Sequence, residues 1–191
     1  MKKYELDSTE RAIIWNTFLS LAYTSAGSLK RTQTPGWKLP YWRSNKLPSQ
    51  EILKLQLLAW CILSAESRAS HLIHEAVEEH DLSKTKENEL RHQPLSEEWK
   101  ALPSVFKQNF DVDFSKNPHK SVKSLSDLRN DLFHVNYGYL KNKLDELTSD
   151  QVLNLFVNFV DAMEDMNVQL KRGGIKNARP EVLRIADPFR H

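Results

Sequence analysis

Cysteine is nearly missing: the one copy, Cys61, excludes an intrachain disulfide and a cysteine-based metal site. Long hydrophobic runs are missing too. The longest, Leu57 to Leu63, falls far short of the roughly 20 residues that span a bilayer. The first residues, Met1-Lys2-Lys3-Tyr4-Glu5, lead into no apolar signal segment. Nor is there an excess of one charge. Twenty-seven Lys and Arg stand against 25 Asp and Glu, and a net +2 does not by itself mark a nucleic-acid binder. No repeat and no strand pattern emerges. These absences predict a cytosolic chain without a membrane partner. Its 191 residues, 40% of them hydrophobic, suit one domain (1–191) with its own core.

What is present is helical periodicity. Asp7, Ser8 or Thr9 can cap a first helix, with Glu10 completing a capping box from Asp7. Its apolar residues are Ile13, Ile14, Trp15, Phe18, Leu19 and Ala22, and Gly27 is a natural stop. Residues 28–48 hold three prolines and a Pro35-Gly36 turn signal, which predicts a loop. That stretch carries Lys30, Arg31, Lys38, Arg43 and Lys46, no acid, and interleaved Trp37, Tyr41 and Trp42. Basic groups reach phosphates and aromatics stack on unpaired bases, so the stretch suits single-stranded RNA. Equally, the aromatics can pin a long loop to the core while the charges stay solvated.

A second helix is predicted from near Ser49 to His80, with Leu47 as a staple. Its first half is apolar nearly all round, as befits a central core helix. In its second half His71, His74, Glu75, Glu78 and His80 cluster. Bundle metal sites take Glu-x-x-His pairs from two helices, and the one such pair, Glu89 with His92, falls in a predicted loop. The expectation is therefore a solvated polar face and no metal. Residues 81–98 lack apolar periodicity and read as a mobile connection. Ser96 can cap a short helix through Trp99 and Leu102, and Pro103-Ser104 can start another through Phe110. Residues 111–120 are irregular. Thr148 and Gln151 form a capping box for the last long helix, which carries Val152, Leu153, Phe156, Phe159, Val160, Met163 and Met166. It ends at Lys171-Arg172-Gly173-Gly174, cations and then a glycine cap. The basic tail, 175–191, is either a docking arm or disordered. The fold class is all-α, a bundle of four main helices with one or two short ones.

The chemistry sits between these elements. Val122, Leu125, Leu128, Leu132, Phe133 and Val135 mark the buried face of a helix over 121–136, stopped by Gly138. Within it stand Arg129, Asn130 and His134. Asn130 and His134 are four apart and share a face. Arg129 lies about 140° around the helix from His134, within an arginine's reach. Arg68–His74 and Arg184–His191 stand at comparable spacings, six and seven apart against five, but only Arg129 is followed by a polar residue and lies on the helix before the last long one.

Arg129-Asn130 followed by His134 resembles the signature of the HEPN superfamily: Arg, four to six residues, then His, with a polar residue directly after the Arg. The resemblance covers the motif and the helical layout. It implies an all-α, metal-independent and cofactor-free endoribonuclease, a toxin or phage-defence effector. The nucleophile would be the RNA 2′-hydroxyl, with His134 as acid or base, Arg129 on the phosphate, and Asn130 orienting one or the other. It also implies a homodimer through the motif helix, and an antitoxin or regulatory protein partner. Toxins that pair with a nucleotidyltransferase-like antitoxin carry Tyr two residues after the His. Here position 136 is Asn, and Tyr137 is left to stack on a base or close the dimer. The family includes members without catalysis, so a binding module for RNA, a nucleotide or a protein is the competing expectation.

Overall fold

The computed structural model describes residues 8–33, 50–108, 112–133, 142 and 144–172. Among the described residues, the helices that carry the fold are α1 (Ser8–Thr32), α2 (Gln50–His80), α3 (Lys84–Arg91), α4 (Leu95–Val105), α5 (His119–Phe133) and α6 (Ser149–Gln169). The described residues contain no strand, and the protein is all-α. None of its described helices is long and apolar enough to cross a membrane.

The bundle is built around α2, which packs against each of the other five helices. Small side chains allow its closest partnership. Ala22 and Ala26 of α1 and Ala65, Ala69 and Ala76 of α2 are all fully buried. The Ser64 hydroxyl donates to the Trp15 carbonyl at 3.2 Å across the same seam. On another side Trp99 of α4 buries its ring and donates Nε1–H to the Ala65 carbonyl at 3.2 Å. Lys54 of α2 is buried and donates to the carbonyls of Leu144 and Leu147, so a lysine ends the helical turn before α6. The capping box of α6 is formed as its sequence predicts, Thr148 accepting from the Gln151 amide and the Gln151 side chain accepting from the Thr148 amide. Thr148→Ala is expected to lose about 1 kcal/mol of stability in a urea titration.

Four expectations need correction. Gly27 does not stop α1; the helix runs to Thr32, because Leu29 continues the buried stripe of Ala22 and Ala26. Lys30 and Arg31 thus form the last helical turn, where cations suit the helix dipole, and are not part of a loop. Residues 81–98 are not a mobile connection. Ser83 caps α3 by accepting from the Lys86 amide, Glu87 pairs with Arg91 at 2.7 Å, and only Leu90 is buried, so no periodicity betrayed the helix. The two short helices expected around Pro103 are one: α4 starts at Leu95 after Pro94 and carries Pro103 in its last turn. Finally, His71 does not belong to a solvated face.

His71 is 5% exposed and joins a buried polar cluster between α1, α2 and α6. At its centre Arg68, 4% exposed, lies 5.0 Å from the Trp15 ring, 2.7 Å from His71 Nδ1, and donates to the Asn167 side-chain oxygen. Arginine cannot accept, so Nδ1 is the acceptor and His71 carries its proton on Nε2, 3.5 Å from Glu75. Burial, reinforced by the Arg68 charge, pushes His71 down to about 4.

Candidate functional site

Arg129 leaves α5 on the side that faces α2, and its Nε lies 2.6 Å from Glu66 Oε1. Both side chains are about a third exposed, so the pair anchors a direction more than it stabilises the fold. The neighbouring groups come from three further helices. Arg91 of α3 pairs with Glu87 and donates to the Ser70 hydroxyl of α2, to which Arg11 of α1 also donates at 3.3 Å. Glu66, Ser70, Arg91, Glu98 and Arg129 line one cleft of about 360 Å³, walled on one side by Gln93, Pro94 and Leu95. Glu66 and Ser70 also line an adjoining pocket of about 250 Å³ with Arg11, Ile14 and Ser67.

Glu98 is the unusual member. Leu95, Glu98, Trp99 and Leu102 follow helical i, i+3, i+4, i+7 spacing, and the other three are core residues. The backbone of α4 therefore carries a carboxyl into the protein, where it is 8% exposed. Burial pushes its pKa up to about 8, and the Glu66 charge adds to the rise, while Arg91 and Arg129 oppose it. At neutral pH it is mostly the acid form, a donor beside two guanidinium groups.

The sequence-predicted residues fare unequally. Arg129 lies in the cleft, and Asn130 follows it on α5, exposed and outside the lining. His134 and Tyr137 lie outside the described residues, as do Lys38, Arg43 and the tail. Lys30 and Arg31 sit at the end of α1 and line neither pocket. Arg68, of the rival Arg68–His74 spacing, is a core residue whose partner is His71. His74 pairs with Glu78 at 3.5 Å, and His80 meets the Phe106 ring edge-on at 5.9 Å. Among the described residues no three His, Cys, Asp or Glu side chains gather as a metal site would need.

Sequence reasoning missed Glu66, Ser70, Arg91 and Glu98. Only Glu98 left a signal, as an acid at an apolar position of the Leu95–Leu102 pattern. Against family models, curated proteins and solved structures the chain finds no match.

Proposed function

We propose that this chain is a metal-independent endoribonuclease, acting as a toxin or defence effector, with its reaction centred on Arg129, Asn130 and His134. The observation that carries this reading is the cleft itself: the motif arginine opens onto a polar hollow that also holds a second arginine and a buried carboxyl. RNA brings its own nucleophile, the 2′-hydroxyl beside each phosphate. Cleavage then needs a base for that hydroxyl, positive charge on the phosphorane and an acid for the leaving 5′-oxygen. Glu66 holds Arg129 through Nε, which suits the outer edge of the guanidinium to phosphate oxygens. His134, the residue that follows Phe133 and lies outside the described residues, is the proton-transfer group of the motif. A two-fold dimer through α5 would bring a second such histidine from the partner copy.

The test is cleavage of total RNA by the purified chain in EDTA. Products ending in a 2′,3′-cyclic phosphate and a 5′-hydroxyl are expected, and His134→Ala should slow their formation about 100-fold. Strict dependence on a divalent ion would overturn the mechanism. The Arg129–Glu66 contact favours a second reading, a binding module in which the motif arginine is a structural tie. RNA binding without cleavage, unchanged in Arg129→Ala, is the result that reading expects.

A further inference from the structure

A carboxyl such as Glu98 needs a reason to be where it is. It is buried, it lines the cleft, and no hydrogen bond or ion pair engages it among the described residues. Its carboxyl oxygens keep contact with the open cleft, yet most of the side chain is out of water, which costs a charge solvation that a leucine here would not lose. Each neighbouring helix presents a charged group toward it: Glu66 from α2, Arg91 from α3 and Arg129 from α5. Burial and the Glu66 charge favour the proton on Glu98 against the two arginines, while Glu66 is engaged by Arg129, so two carboxyl groups of one cleft are held in different roles.

We propose that Glu98 is the acid that protonates the leaving 5′-oxygen of RNA. The inference rests on the ribonuclease reading and adds to it. In the step, the 2′-hydroxyl gives its proton to the base, the role that the ribonuclease reading gives His134, and its oxygen bonds to phosphorus. The bond from phosphorus to O5′ breaks, and O5′ takes the Glu98 proton. The products are a 2′,3′-cyclic phosphate, a 5′-hydroxyl, a Glu98 carboxylate held beside Arg91 and Arg129, and a His134 cation. Solvent then returns the proton to Glu98 and removes the one on His134.

The experiment uses the full chain and two oligonucleotides spanning one mapped cleavage step. One has the natural 5′-oxygen; the other has sulfur in its place, a leaving group that departs without an acid. Glu98→Gln, which keeps shape and volume, should cut the oxygen substrate about 100-fold more slowly than wild type. On the sulfur substrate it should stay within a few fold of wild type. In the unaltered chain, the rate on the oxygen substrate should fall above pH 8, and that limb should vanish with sulfur. Equal slowing on both substrates, or an alkaline limb that sulfur leaves in place, would overturn the proposal. A wild-type chain that cuts neither substrate overturns the ribonuclease reading instead. A wild type that cuts both beside a fully active Glu98→Gln leaves that reading standing and removes only Glu98.

Discussion

Arg129→Ala is expected to slow RNA cleavage about 100- to 1,000-fold, the loss typical of removing one preorganised donor from a developing negative charge. The fold should hardly notice. Arg129 and Glu66 are both about a third exposed, and such pairs contribute about 0–1 kcal/mol. Lysine at position 129 keeps the charge and loses the planar fork, so partial recovery is the expected result. Glu66→Gln separates holding from charge. Its amide oxygen can still accept from Arg129 Nε, so the rate should fall only a few fold. It also removes a charge that helps to raise Glu98, so any alkaline limb should move to lower pH. Single-turnover rates with matched thermal melts are the measurement. An Arg129→Ala chain that cuts RNA at the wild-type rate would take the motif out of the chemistry altogether.

How far the sequence carried depends on whether a signal was local. The α6 cap is local: Thr148 and Gln151 lie three apart and find each other within one turn. The buried faces of α5 and α6 were legible for the same reason, with Val122, Leu125, Phe156 and Phe159 at helical spacing. Gly27 misled because glycine disfavours a helix interior only weakly, and the Ala22–Ala26–Leu29 stripe outweighs it. Helix α3 was illegible because cap and ion pairs support it and only one buried side chain does. The cleft is the least local feature. Arg11 meets Ser70 across 59 residues, and Arg129 meets Glu66 from another helix. Of its charged groups Arg129 alone stood in a motif.

Arg68 shows the opposite error, a motif match that is really a core residue, and it carries the largest stability prediction. In α2 it continues the stripe of Cys61, Ala65, Leu72 and Ala76, all buried. Arg68→Ala should destabilise the chain by about 3–5 kcal/mol, since it opens a cavity and removes the donor that His71 Nδ1 and the Asn167 side-chain oxygen accept from. Arg68→Met fills most of the volume, so what it still loses measures the abandoned polar partners, about 1–3 kcal/mol for each. His71 ties this cluster to pH. Its folded pKa of about 4 lies below the 6.5 of a free imidazole, so the unfolded chain binds the proton first. The stability it supplies is whole above pH 6.5 and is lost as pH falls toward 4, about 3 kcal/mol over that window. His71→Gln should therefore flatten this part of the profile in urea titrations at pH 7, 5.5 and 4. Arg68→Met should shallow it, because the removed cation is one cause of the low value. An unchanged slope in both variants would mean that other groups set the acid limit.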